Sequence, residues 1–223
     1  MNIFGISGIL VFITSLLMAA FLILQKSREI NNLLFASICI CTAIWGFGVI
    51  NIAIAQFPEV AFKYWQISFI GVILVPPIYF HFVTKFLNII NKKIILLIIT
   101  SYLLAIFFLL INFLKKELFL GNMKLVFSQF YYFNSPGLIF FFFYILFYWI
   151  LLGYSIYLLI RAYRYSKGTK NNQLKYFIIA SLIGWSSAEG SYFTGFGFNI
   201  YPVSNLFMFL YPVIITLAII KYR

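Results

Sequence analysis

Acidic side chains are scarce in this sequence, which contains no aspartate and four glutamates among 223 residues. Charged residues of both signs make up 9% of the chain, whereas soluble domains usually carry about 25%. Hydrophobic residues make up 64%. Polar side chains are therefore too few to cover a water-soluble globule, and we expect hydrocarbon to surround most of the chain.

Cysteine and histidine are rare as well. Cys39 and Cys41 lie two residues apart in one apolar run, where a helix directs them to different faces and prevents a disulfide. His81 is the single histidine, and no cysteine lies at ligand spacing from it. We therefore predict no disulfide framework, no metal site and no cofactor.

Familiar catalytic arrangements are also missing. The sequence has no paired carboxylates, no Ser-His-Asp set and no phosphate-binding loop. The lone Gly195-Phe196-Gly197 follows a helical run rather than a strand, so it is not typical of a nucleotide loop. No inner loop is long enough for a soluble catalytic domain. These absences predict no catalytic residues and a protein that is not an enzyme.

Basic residues give the chain a formal net charge of +12. They occur in short clusters between apolar runs, a distribution that argues against nucleic-acid binding. Such clusters orient membrane proteins and attract anionic lipid headgroups. The lipid bilayer is therefore the first partner that the sequence predicts.

Seven apolar runs are each close to the ~20 residues that a helix needs to cross a bilayer. They occupy residues 3–24, 33–54, 62–87, 94–114, 137–160, 176–193 and 205–220. We predict an all-α integral membrane protein in which residues 1–223 form one domain, a seven-transmembrane helix bundle. With the N-terminus outside, 12 Lys and Arg residues lie on the inner side and 4 on the outer side. The positive-inside rule therefore predicts an N-out/C-in orientation.

The longest outer loop, residues 115–136, joins the fourth and fifth runs. Residues 118–120 and 124–132 are rich in strand formers and are separated by Gly121-Asn122, a pattern that predicts a short β-hairpin on the outer face. The loop is also aromatic, with Tyr131 and Tyr132 among its side chains. Two interpretations stay open, an aromatic belt at the membrane interface or a lid over an outward-facing pocket.

Glu189 is the most informative polar residue, because it falls inside the sixth run. A carboxylate within a span costs on the order of 3 kcal/mol, so the side chain should face the bundle or a water-filled cavity. There it would contact a ligand or form a polar lock between signalling states. Alternatively, it lies near the outer headgroups and points to water. Our candidate ligand-binding residues are Glu189, Trp185, Asn199, Tyr131 and Tyr132.

Prolines mark the candidate hinges. Pro76 and Pro77 fall near the middle of the third run, where each removes a backbone donor and favours a kink. Pro212 is expected to bend or stiffen the seventh run. His81 follows Pro77 by one helical turn, and we expect it to be a satisfied polar group in the bundle rather than a catalytic base.

Several of these residues resemble a known family. The run from Trp65 to Gly71, then Pro76-Pro77 and Phe80-His81-Phe82, is similar to the third helix of the seven-transmembrane N-terminal region of bacterial histidine kinases. The ending from Tyr211 to Arg223 resembles the last helix of that region, which leads into a cytoplasmic output module. The resemblance covers nearly the whole chain. It implies a multi-pass sensory domain in a bacterial plasma membrane, a cytoplasmic signalling module or kinase as its partner, and a homodimer.

The sequence has no phosphoacceptor-histidine box and no ATP-binding motif before it stops at Arg223. We therefore expect a sensor without its output, which is an excised domain, a truncated product or a stand-alone receptor. In this hypothesis a small ligand, a peptide or a membrane state acts on the outer half of the bundle. It shifts the populations of two helix arrangements, and the seventh helix carries the shift inward.

Two alternatives remain at this stage. The first is a small membrane transporter or transport subunit, against which the scarcity of polar residues within the spans argues. The second is an intramembrane enzyme that uses Glu189 or His81 on a lipid-like substrate. Substrate flux would identify the transporter, and loss of turnover on replacing either residue would identify the enzyme.

Overall fold

The computed structural model describes residues 1–25, 29–134 and 136–221. Three residues that we counted among the inner charges, Lys26, Arg28 and Arg223, lie outside these ranges, as does Tyr222 at the end of the predicted relay. Each of the seven predicted apolar runs contains a long helix, although the sixth helix begins at Gly168 rather than at residue 176 and the last begins at Leu210 rather than at residue 205. The seven long helices are α1 (Ile3–Leu24), α2 (Ile30–Ile54), α3 (Pro58–Phe86), α4 (Lys92–Leu114), α5 (Leu138–Tyr165), α6 (Gly168–Gly195) and α7 (Leu210–Lys221).

Six of the described helical segments are long and apolar enough to cross a membrane. They are α1 to α5 and the segment Val203–Lys221, in which a 3₁₀ turn at Val203–Phe207 precedes α7. α6 has 28 residues, or about 42 Å at 1.5 Å per residue, but it is more polar than the others. The seventh span and the orientation of the bundle therefore stay predictions.

Local signals explain where several helices begin. The side chain of Asn2 accepts a hydrogen bond from the amide of Gly5 at 2.9 Å and caps α1. Asn91 caps α4 by accepting from the amides of Lys93 and Ile94 at 3.0 and 3.1 Å. α3 starts at Pro58, a position where the missing N–H of proline costs nothing.

α2 and α3 form the centre of the bundle. Within one continuous apolar stretch of 18 residues in each helix, 67% and 72% of the residues are buried, compared with 33% in α1 and 28% in α4. The peripheral helices direct large apolar side chains outward, including Leu17, Leu96 and Leu103. Soluble monomers rarely expose apolar patches larger than a few hundred Å², so this surface fits a hydrocarbon environment.

The predicted hairpin is present, but its turn lies elsewhere than we expected. β1 (Asn122–Val126) pairs antiparallel with β2 (Phe130–Asn134). The turn is at Phe127 and Ser128, which both have φ of 53°, rather than at Gly121-Asn122. Residues 116–119 form one helical turn instead of a strand. Gly121, with φ of 68°, supplies the bend between that turn and β1, so the glycine marks the entrance of the hairpin.

The candidate hinge prolines occupy different settings. Pro76 and Pro77 are buried within α3, which continues through them as far as Phe86. Pro212 is the third residue of α7, where a backbone amide has no partner within the helix. It therefore does not interrupt α7, and it lies close to the junction with the preceding 3₁₀ turn. Hinge motion at these prolines stays a prediction.

Candidate functional site beneath the hairpin

The hairpin is attached to one end of the bundle through β2. Tyr132 and Phe133 are each 1% exposed. Trp65 of α3 donates its indole N–H to the carbonyl of Tyr131 at 3.1 Å, and Tyr132 donates its hydroxyl to the carbonyl of Ser191 in α6 at 2.6 Å. Burial raises the pKa of the Tyr132 phenol, so the hydroxyl keeps its proton as a donor. β2 is thereby bonded to both α3 and α6.

Aromatic contacts reinforce this attachment. The ring centroids of Trp65 and Tyr132 are 4.5 Å apart, and those of Trp65 and Phe133 are 5.0 Å apart, both in edge-to-face arrangements. The Phe133 ring also occupies the space beside Gly195 of α6, where any Cβ would overlap it. The aromatic side chains of β2 are therefore packed into the bundle rather than spread at its rim.

A cavity of about 50 Å³ lies directly below β2. α2, α3, α5, α6, α7 and the 3₁₀–α7 junction contribute to its wall, and none of its described lining side chains is charged. Its lining is dominated by nine aromatic residues, namely Trp45, Trp65, Phe69, Tyr132, Phe133, Tyr148, Trp185, Tyr192 and Tyr211. Drug-sized ligands usually occupy about 300–1,000 Å³, so this arrangement of helices admits only a small apolar group.

Tyr211 contributes a buried polar group to the cavity. It is 4% exposed, and its hydroxyl has no hydrogen-bond partner among the described residues. Two other lining hydroxyls are already used, since Thr42 donates to the Ile38 carbonyl at 2.9 Å and Ser191 donates to Oδ1 of Asn205 at 2.6 Å. A buried polar group without a partner costs about 1–3 kcal/mol. The Tyr211 hydroxyl is therefore available to a bound molecule.

Two glycines bring the walls of the cavity together. A Cβ on Gly71 of α3 would overlap the carbonyl oxygen of Cys41 in α2, and a Cβ on Gly184 of α6 would lie 2.9 Å from Cβ and Cγ of Tyr211. Small residues of this kind let helix backbones approach closely. The close packing of α3 against α2 and of α6 against α7 therefore depends on glycine at these two positions.

Glu189 lies beside the cavity and does not line it. Its partly buried carboxyl accepts a hydrogen bond from the hydroxyl of Tyr144 through Oε2, and Oε1 has no partner among the described residues. Tyr144 belongs to Phe142–Trp149, where α5 winds as a π-helix, and its ring centroid is 4.7 Å from that of Tyr192. Such π-helical segments are frequent at functional sites. The carboxyl therefore links α5 to α6 behind the aromatic wall.

The five candidate residues from the sequence do not form a single site. Trp185 and Tyr132 line the cavity, and Glu189 is adjacent to it. The hydroxyl of Tyr131 is directed to the carbonyl of Gln56 at 3.4 Å, and Asn199 is exposed in the segment after α6. Ligand binding by any of them stays a prediction.

His81 also lies away from the cavity. Its Nδ1 is 3.4 Å from the hydroxyl of Tyr102 in α4, a helix that contributes no lining residue to the cavity. Sequence reasoning missed Tyr211 and Tyr148, because aromatic residues make up 22% of the chain and occur in most of the helices. The signal that could have found the site is the pair of glycines, Gly71 and Gly184, within apolar runs.

Comparison with known families gives a match over almost the entire chain. Residues 8–223 match the family model described as the N-terminal 7TM region of histidine kinase. The match includes the hairpin and every wall of the cavity, and it confirms the resemblance seen in the sequence. Neither the curated proteins nor the solved structures include a match to this chain.

Proposed function

Because the chain belongs to the N-terminal seven-transmembrane region of histidine kinases, we propose that it is a membrane-embedded sensory domain that controls a cytoplasmic kinase module. The module would be joined to the C-terminal end of α7 or supplied by a partner protein. The chain itself is then not an enzyme. Its task is to convert an external or membrane signal into a change at the inner end of α7.

The observation that carries this proposal is the position of Tyr211. It lines the cavity and is also the second residue of α7, the helix that ends at Lys221. A molecule that contacts Tyr211 therefore acts directly on the helix that leads toward the output. The hairpin, tied to α3 and α6, covers the same cavity and serves as its lid.

The size of the cavity supports a two-state mechanism. A ligand that needs more than about 50 Å³ binds only when the hairpin, α6 or α7 moves outward. Such a ligand has different affinities for the two arrangements, and this difference is what shifts their populations. The 3₁₀–α7 junction, with Pro212 in the first turn of α7, is the proposed hinge.

The proposal also includes the location, orientation and oligomeric state of the chain in the cell. The N-terminus and the hairpin face outward and the C-terminus faces the cytoplasm of a bacterial cell, with seven spans in the plasma membrane. The proposed unit is a homodimer, in which two C-terminal ends present paired output modules. The unequal distribution of Lys and Arg supports the orientation.

A fusion of the chain to a histidine-kinase module tests this function without knowledge of the ligand. Ala188 lines the cavity and is 8% exposed, so Ala188→Leu fills space there. Cavity volume is worth about 24 cal/mol per Å³, so filling it changes the balance of the two arrangements by about 1 kcal/mol. We expect autophosphorylation in membrane vesicles to change about fivefold.

Ala20→Leu is the matched control, because Ala20 faces outward on α1 and its substitution should leave phosphorylation unchanged. Tyr211→Phe should also change the output, since it removes the unpartnered hydroxyl. If Ala188→Leu and Tyr211→Phe fusions are folded and phosphorylate at the parental rate, the proposed sensory role of the cavity is wrong. Uptake of a solute by the purified chain in proteoliposomes would favour transport instead.

A further inference from the structure

A second recess lies at the opposite end of the bundle from the hairpin. It separates the beginning of α4 from the end of α5 and has a volume of about 400 Å³. We call it the inner groove, and its lining includes Ile89, Ile94, Tyr154, Leu158, Arg161 and Tyr165. It shares no lining residue with the cavity beneath the hairpin.

The deep wall of the inner groove is apolar. Ile94 of α4 and Leu158 of α5 are 7% and 8% exposed, whereas Tyr154 and Tyr165 stand exposed at its rim. α4 is also the least buried of the six apolar segments. A slot of this kind within the bilayer is accessible to acyl chains.

The mouth of the groove is positively charged. Arg161 is exposed and has no hydrogen bond or ion pair within the part of the chain that the structure describes. Lys92 and Lys93 are exposed in the first turn of α4. The side chain of Asn91 already accepts hydrogen bonds from the amides at the start of this helix. The positive charge that a ligand can contact therefore comes from the basic side chains, not from the helix N-terminus. None of the four glutamates lines the groove.

We propose that the inner groove binds an anionic phospholipid, with its phosphate at Arg161 and an acyl chain against Ile94 and Leu158. The guanidinium group can hold a phosphate through two parallel hydrogen bonds, and basic recesses between helices at the cytoplasmic side suit anionic headgroups. A zwitterionic lipid would bring an ammonium group to the same cationic mouth. The site therefore prefers phosphatidylglycerol to phosphatidylcholine, and the bound lipid joins α4 to α5.

Native mass spectrometry of the full chain, after exchange into micelles doped with either lipid, measures this preference. We expect the chain to retain about tenfold more phosphatidylglycerol than phosphatidylcholine, since both lipids offer a phosphate to Arg161 but only phosphatidylcholine brings an ammonium group to the cationic mouth of the groove. Arg161→Gln should remove most of the difference, and Arg161→Lys should keep part of it. Arg164→Gln is the matched control, because Arg164 is exposed on the same helix but does not line the groove.

Two further measurements distinguish binding of a phospholipid from binding of free inorganic phosphate. Ala162 lines the groove, so Ala162→Phe should displace the acyl chain and lower phosphatidylglycerol retention while leaving Arg161 in place. Competition by millimolar inorganic phosphate should have little effect. Equal losses of phosphatidylglycerol from the Arg161 and Arg164 variants would show that general surface charge retains the lipid, and would overturn the proposal. Equal retention of the two lipids by the unmodified chain would overturn it as well. Displacement of the lipid by inorganic phosphate would overturn it in favour of a free-phosphate site.

Discussion

Gly71 shows how one missing side chain determines the packing around the cavity. α3 approaches α2 so closely there that a Cβ would overlap the carbonyl oxygen of Cys41 and come within 3.4 Å of the Trp45 amide nitrogen. Because that neighbour is backbone, it cannot turn aside as a flexible side chain could. The position therefore tolerates no side chain unless one of the two central helices shifts.

Gly71→Ala is accordingly expected to destabilise the bundle by about 1–3 kcal/mol, as overpacking in well-packed interiors does. The free energy of unfolding can be measured by SDS titration of the protein in mixed micelles. Gly153→Ala provides the control, since a Cβ there has open space within 4 Å and alanine favours a helix over glycine. Equal stability of the two variants would contradict the close approach of α2 and α3.

Tyr211 shows how close packing can leave a single polar group without a hydrogen bond. Its hydroxyl is buried without a partner among the residues that the structure describes, while its Cβ and Cγ occupy the space left by Gly184. The backbone of α6 therefore holds the ring in place, and the hydroxyl is left without a bond. Such a group is costly in a folded protein unless something binds it, which is why we propose a role for it in recognition.

Among the elements, the hairpin depends most on its attachments. A two-stranded hairpin alone is marginally stable in water. Here the inward side chains of β2 are buried, and hydrogen bonds from Trp65 and Tyr132 join the strand to α3 and α6. The hairpin should therefore loosen when one of these bonds is removed, although its two strands still pair with each other.

Tyr132→Phe is expected to weaken the hairpin by about 0.5–1.5 kcal/mol, because it removes the hydroxyl bound to the Ser191 carbonyl. Hydrogen exchange of residues 122–134, followed by mass spectrometry, should become faster by a factor of about three to ten. Tyr131→Phe is the matched comparison, since its hydroxyl makes only a 3.4 Å contact at an exposed site. If the Tyr132→Phe and Tyr131→Phe variants show the same hydrogen-exchange rate, the hydrogen bond to Ser191 does not stabilise the hairpin.

At the scale of the whole molecule, the charge distribution defines the expected orientation. Cysteine labelling with a membrane-impermeant maleimide tests it on intact cells. Lys124→Cys in β1 should react from outside, whereas Lys167→Cys, before α6, should react only after the membrane is opened. Both positions are exposed.

The native cysteines do not interfere with this measurement, since Cys39 and Cys41 are 0% and 4% exposed. The expected difference in labelling between the two positions is at least tenfold, because an inserted bundle separates its two faces completely. Labelling of Lys167→Cys in intact cells would reverse the orientation and place the hairpin in the cytoplasm. The proposed external signal would then have to act from the other side.

The outer surface of the bundle and its interior also respond to different constraints. Lipid-facing side chains such as Leu103 need only be apolar, whereas the aromatic residues around the cavity must fit one another in shape. The family match over residues 8–223 identifies the architecture and does not name a ligand. In the proposed function a few lining groups select the ligand, and Tyr211 and Trp185 are the first of these to test.

The sequence by itself determined that the chain lies in a membrane and which parts of it form the long helices, although not every helix boundary. Both properties depend on local composition, because about 20 consecutive apolar residues suffice for a span. It also indicated a hairpin, but not its turn, since Phe127 and Ser128 adopt a positive φ without a local signal for it. Tertiary structure alone decided the cavity, because Tyr211 and Gly184, or Trp65 and Tyr132, are far apart in the chain and meet only when the helices pack.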